Sequence, residues 1–359
     1  MDGSAAGGDE RYSVRISDPG EVAAAVPHLL GFHPAESLVL ITLTGPVGES
    51  VGLTVRADLP PPRHARRLAA MVTRHVCSAT PEGVLAVVVS EAPDVGGRVR
   101  ELPHRRLLHE LVLEMSAAQV PVREMILVRR GRWWSYDCPH PCCAPGAGTP
   151  LPEGVSELAA ASVATGVVVA RDREELAARI APPEGPASVA MAATCREAVV
   201  QFTGRLLEEG SRALAAETWA AIEAAVLRCG PGGPARGRLS DAEVARILCG
   251  LRDHTVRDLA MGLAIGKDAD AAEVLWTECT RRAPAPLDAP PATLLAVSAW
   301  LRGDGAMANV ALDRALDGDA GYRLAQLLAG ALAECVPPAE IRALVASTVA
   351  AVPQPATNG

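Results

Sequence analysis

Val51 to Ser90 reads VGLTVRADLPPPRHARRLAAMVTRHVCSATPEGVLAVVVS, two strand-like runs on either side of a helical one. Val51 to Asp58 is a β-branched run, Pro60-Pro61-Pro62 interrupts it, and Leu68, Met71, Val72 and Val76 then recur at helical spacing. Val84 to Ser90 is a continuous apolar run, the pattern of a strand buried on both faces. Strand, helix and strand in this order form a crossover unit, whose strands run parallel beneath a covering helix. Upstream, Ser37 to Thr44 (SLVLITLT) is a second β-branched run, and the Gly45 to Ser50 link is short enough for an antiparallel hairpin. Before it, Asp18 can cap a helix, Pro19 suits its first position, Glu21 its third, and Gly31 its end, with Pro27 ending or tightening the last turn. Downstream, Leu107, Leu108, Leu111, Val112 and Met115 mark a helix between Val99 and Ala118. A strand from Val122 to Arg130 follows, and Gly131 turns the chain into another from Trp133 to Tyr136. The prediction is an α/β domain, a mixed, mostly parallel sheet of about five strands with helices.

A chain of 359 residues with 49% hydrophobic and 21% charged residues has the size of two cores and the composition of a folded protein. Aromatics supply only 3%, so the cores must be built from Ala, Val and Leu in close helix contacts. The net charge of −8 repels phosphate backbones, and the basic clusters His104-Arg105-Arg106 and Arg129-Arg130-Gly131-Arg132 are short, so nucleic acid is not an expected partner. Lys267 is the sole lysine, a coding bias of GC-rich genomes without mechanistic content. Met1 to Arg11 lacks the basic and apolar regions of an export signal, and no window reaches the ~18 apolar residues of a membrane span. A cytoplasmic location and reduced thiols at the nine cysteines are the expectation.

Beyond Pro150 the pattern is helical, with GVVVA (Gly166 to Ala170) readable as either a strand or mid-helix. Gly and Pro punctuate it as hinges at Pro182 to Pro186, Gly230 to Gly237 and Pro284 to Pro291. From Thr293 to Ala333 a helix, a Gly-Asp-Gly turn, a helix, an Asp-Gly loop and a helix follow one another, weakly similar to tetratricopeptide helical pairs in Trp300, Ala311 to Leu316 and Tyr322. The expected organisation is a frayed 1–11, an α/β domain over 12–152 ending in a Cys-rich loop, an all-α region over 153–350, and a frayed 351–359.

Four stretches carry a resemblance to a known family: PHLLGFHPAESLVL (Pro27 to Leu40), VRADLP (Val55 to Pro60), RWWSYDCPHPCC (Arg132 to Cys143) with GTPLP (Gly148 to Pro152), and GDGAMANVALDRAL. In these the chain resembles the actinobacterial domain-of-unknown-function family 4192. The resemblance spans residues from about 18 to 335 and implies no activity and no catalytic residues.

If the second, third and fourth strands point the same way, their carboxyl ends gather with the start of the first. That edge collects His33, Glu36 and Ser37, Arg56 and Asp58, Ser90 and Glu91, and Arg129 and Arg130, with Trp133 as a possible wall. Ligands bind sheets of this kind beyond the carboxyl ends of parallel strands. The plain alternative is that His33 and Glu36 satisfy turn backbone while Arg56 and Asp58 pair with one another.

Cys138-Pro139-His140-Pro141-Cys142-Cys143 has the Cys-x3-Cys spacing found in zinc loops. A zinc site usually needs a second ligand pair, none is visible elsewhere, and adjacent thiols at 142 and 143 are expected to point apart. Zinc, a thiol switch and a buried structural loop stay open. Strand five should carry this loop to the opposite edge from the polar cluster. No phosphate-binding GxxxxGK[ST], strand-following GxGxxG, nucleophile elbow or HExxH is present. The preferred expectation is a small-ligand-binding or adaptor protein whose helical half contacts a protein partner. The alternatives are a hydrolase or transferase on an anionic metabolite using His33, Asp58 and Arg56, and a zinc or thiol-redox factor using the cysteines.

Overall fold

The computed structural model describes residues 18–45, 50–96, 100–152, 169–230 and 239–352. The chain divides into two compact units, residues 1–172 and 173–359. The first extends past the boundary expected at 152, because Ala170 forms a parallel bridge with Phe32 and donates its N–H to the Gly31 carbonyl at 2.8 Å. Residues 166–168 of the ambiguous run, 231–237 of the hinge, the expected frayed 1–11 and residues 353–359 lie outside the described residues, while Ala351, expected to fray, closes the last helix.

The first unit opens with α1 (Pro19–Leu30), capped where Asp18 Oδ1 accepts from the Gly20 N–H at 2.8 Å and closed by Gly31 in the left-handed region at φ 74°. Pro27 sits inside this helix without ending it. β1 (Ser37–Thr44) and β2 (Ser50–Asp58) form the antiparallel hairpin, with Ser37 opposite Asp58. A short 3-10 turn at Pro62–His64 leads into α2 (Ala65–Cys77), and β3 (Gly83–Val89) returns on the far side of β1. α3 (Arg105–Ala117) then leads to β4 (Val122–Arg129), parallel to β3. α3 starts later than expected because Ser90 to His104 is loop where it is described.

Arg130 and Gly131 both take positive φ, 50° and 70°, as a two-residue hairpin with right-handed strand twist requires, and turn the chain into β5 (Arg132–Ser135). A sixth strand, β6 (Thr149–Pro150), which the sequence pattern does not reveal, closes the sheet in the order β2-β1-β3-β4-β5-β6. β2, β3 and β4 share one direction, although only β3 and β4 are neighbours. Successive residues of a strand face opposite sides, so Trp133 packs beside Gly20 of α1 while Trp134 and Tyr136 face the α3 side. Leu38 to Ile41, Val84 to Val88, Ile126 and Leu127 form the buried centre.

The second unit is helical wherever it is described: α4 (Arg173–Ala178), α5 (Pro186–Glu209), α6 (Ser211–Cys229), α7 (Asp241–Gly250), α8 (His254–Met261), α9 (Ala269–Arg282), α10 (Ala289–Arg302), α11 (Gly305–Gly318), α12 (Arg323–Ala333) and α13 (Pro338–Ala351). Pro290 and Pro291, expected in a hinge, instead lie in the first turn of α10, where a missing N–H costs nothing. α10 is buried from Ala289 to Leu301 and packs against α9 and α11, with α12 following on α11. Its small residues let neighbours close in around Trp276 and Trp300. Among the described residues no helix is long and apolar enough to cross a membrane.

Candidate functional site

The shared direction of β2, β3 and β4 brings their last residues to the edge where β1 begins. Glu36 ties that edge together. Its carbonyl accepts from the Leu59 N–H beyond β2 at 2.9 Å, and its carboxylate accepts from Ser90 Oγ at 2.8 Å and the Glu91 N–H at 2.7 Å beyond β3. To reach all three, Glu36 adopts a left-handed backbone at φ 41°. The buried Ser90 hydroxyl also meets His104 Nε2 at 2.9 Å and accepts from the Ala92 N–H at 3.2 Å. His104, at φ 63° just before α3, is the second residue here in that region without the excuse of a hairpin turn. Two such outliers at one edge mark it as a place where the fold tolerates strain.

The remaining charges pair. Arg56 meets Asp58 at 2.6 Å and donates through Nε to Ser37 Oγ at 2.9 Å. Arg129 is buried, donates to the Ala92 carbonyl at 2.7 Å and Asp94 at 2.9 Å, and lies 4.8 Å from the centroid of the Trp134 ring. Glu91 accepts from the Arg130 backbone and guanidinium, both at 3.1 Å. His33 is exposed, donates its backbone N–H to Ala170, and lies near enough to His28 to add to the burial that lowers the His28 pKa. Burial likewise lowers the His104 pKa, against a weaker upward pull from the Glu36 carboxylate. Trp133 is half-buried against Gly20 on the α1 side. The edge thus joins Glu36, Ser90, Glu91 and His104 in one network, with Arg56–Asp58 and Arg129–Asp94 as separate ties. His104 and Asp94 enter through a loop return that no spacing in the sequence announces.

A cavity of about 250 Å³ runs along the first two turns of α3, lined by Arg105, Leu108, His109, Val112, Met125 and Tyr136. His104 is not among its lining residues, and Met125 and Tyr136, joined by a backbone hydrogen bond of 2.9 Å, place it toward the Ser135 end of β5.

β5 runs away from this edge, pairing Ser135 with Ile126, so the cysteines that follow lie at the other end of β4. The 3-10 turn Pro141–Cys143 brings Cys142 and Cys143 to the same side, contrary to the divergence expected of adjacent thiols. Cys142 Sγ is 3.9 Å from both Cys138 and Cys143, and all three sulfurs lie within 4.8 Å of one another. The His140 imidazole is not among the clustered donors; its backbone instead hydrogen-bonds Cys138, which lowers that thiol's pKa. Burial pushes the Cys143 thiol up to about 11, opposed by the Ser135 N–H at 3.2 Å from its sulfur.

Residues 19–339 match the family described as Domain of unknown function (DUF4192). The chain belongs to this family. The match spans both units, so the DUF4192 pattern includes the polar edge, the cysteine loop and most of the helices. No curated protein and no solved structure matches the chain.

Proposed function

We propose that this DUF4192 chain is a cytoplasmic binding protein whose α/β unit takes a small polar ligand at the carboxyl edge of its sheet. The observation that carries this is the chain Glu36–Ser90–His104: the imidazole is fixed through Nε2, while Nδ1 has no hydrogen-bond partner among the described residues. A side chain so held is pre-organised to read a ligand. The paired Arg56–Asp58 and Arg129–Asp94 serve as struts. Catalysis is not assigned, because Ser90 is buried and has Glu36 as its acceptor, and Arg56 and Asp58 are occupied with one another. The helical unit takes the partner-facing role. Val189, Val200 and Leu207 of α5 are 69%, 72% and 84% exposed, and their spacing returns each to the same helix face.

Thermal shift of the full chain against small polar metabolites, amino acids and hydroxy acids among them, tests the ligand. A true ligand at a hundred times its Kd adds about 2.7 kcal/mol, which raises Tm by several degrees, and His104→Asn removes that gain. A library that shifts nothing, or shifts both proteins alike, defeats the proposal.

A further inference from the structure

We propose that Cys138, Cys142 and Cys143 bind one zinc ion through three thiolates, with the fourth position open to solvent and held by water. Zinc–sulfur bonds of about 2.3 Å in a tetrahedron set neighbouring sulfurs about 3.8 Å apart. The Cys138–Cys142 and Cys142–Cys143 sulfur separations, both 3.9 Å, fit that edge length, and the third pair lies within 4.8 Å. The exposure of the trio grades from buried Cys143 through half-buried Cys138 to exposed Cys142, so one face of the cluster looks outward. Thiolate sulfur selects soft, thiophilic ions over magnesium or calcium.

The spacing is set by the fold itself. Cys143 donates its N–H to the His140 carbonyl at 3.0 Å, and Gly148 donates to the Cys142 carbonyl at 2.9 Å. Arg132 holds the Ala147 and Gly148 carbonyls at 3.0 and 2.6 Å. Gly148, at φ 77°, lies so close to the Trp134 ring that a Cβ there would fall 2.4 Å from it, which pins the loop against the core. The Ser135 N–H points at Cys143 Sγ, the outer contact that orients a metal-bound sulfur. An ion therefore meets donors whose ordering cost is already met by packing. This site is separate from the edge around His104, and neither proposal rests on the other.

The test uses the full chain, reduced, stripped with a chelator, and titrated with Co²⁺ and then Zn²⁺. The expected result is one cobalt per chain with a near-ultraviolet thiolate charge-transfer band of three-sulfur intensity, bleached by one equivalent of zinc. Loss of an outer contact alone costs 10- to 100-fold in affinity, so Cys142→Ser should weaken zinc binding by more than about 100-fold. Cys77→Ser and His140→Ala should leave it unchanged. Cys142 is exposed, so its variant keeps the test readable even where Cys143→Ser does not fold. Reduced thiols that give no cobalt band overturn the site. A band insensitive to Cys142→Ser does the same, as does a Cys138–Cys142 disulfide forming in air on protein that takes no metal when reduced. Loss of binding in His140→Ala overturns the open fourth position.

Discussion

The two ends of β4 are both closed by loops that bring together residues distant in sequence, yet they are filled in opposite ways. At the Arg129 end, Glu36, Arg56, Asp58, Glu91, Arg129 and Arg130 each have a partner within 3.1 Å. At the Glu124 end, three sulfurs lie side by side with two backbone N–H groups aimed at them. The difference follows from the cost of charge. Ionised groups cannot be gathered at the margin of a core without counter-groups, so the fold uses them as ties between strand ends. Protonated thiols carry no such penalty and can be crowded until an ion makes use of them. Chemistry at the charged end must therefore work through the polar groups left over, whereas the sulfur end already gathers three like donors.

The strongest way to break this contrast is to cut a tie. Asp94→Ala leaves the Arg129 guanidinium buried without its carboxylate, and removing one partner of a buried pair costs about 3–5 kcal/mol. Urea unfolding should show a loss of that size, and hydrogen exchange should place it in β3, β4 and the loop after Ser90. A loss below about 1 kcal/mol, the value of an exposed pair, would mean that Arg129 is not a strut.

Glu36→Gln comes next. The carboxylate accepts from Ser90 and from the Glu91 N–H with separate oxygens, and an amide presents an NH2 group to one of those donors. Hydrogen bonds to a charged group are worth about 1.5–3 kcal/mol each, so a loss near 2 kcal/mol is expected by the same urea measurement. A neutral result would reduce Glu36 to a turn residue.

Much of the α/β unit is legible in the sequence because its signals are local. Asp18, Pro19 and Gly31 bracket α1, SLVLITLT and VLAVVVS are apolar enough to be strands only, and right-handed crossovers fix their relative direction. That direction places Glu36, Asp58, Ser90, Glu91 and Arg129 at one edge before any coordinates. Their pairing is not legible, because Arg129 finds Asp94, and Ser90 finds His104, through a loop whose path tertiary packing alone decides. The cysteine loop shows the same limit from the other side. Cys-x3-Cys is visible as spacing, but a single 3-10 turn at Pro141 swings Cys143 inward beside Cys142 and makes a pair into a trio. β6 is not legible because a two-residue strand has no period to read.

The smallest expected effect is the most specific to His104. Its pKa in the folded chain lies below the ordinary 6.5, chiefly through burial. Unfolding therefore takes up a proton as pH falls through the window beneath 6.5, and the folded state loses stability there, with no loss above it. Asn adopts the left-handed backbone more readily than other non-glycine residues, so His104→Asn removes the imidazole without forcing the chain out of φ 63°. At pH 7.5 the variant should lose about 1 kcal/mol, the worth of one hydrogen bond. Between pH 7 and 5 the gap between the two proteins should narrow, since only the wild type carries the proton penalty. His28, lowered for the same reason, is present in both and cancels. Parallel stability curves would show that His104 is free to take a proton in the folded chain, and the polar edge would then lose the one group held ready for a ligand.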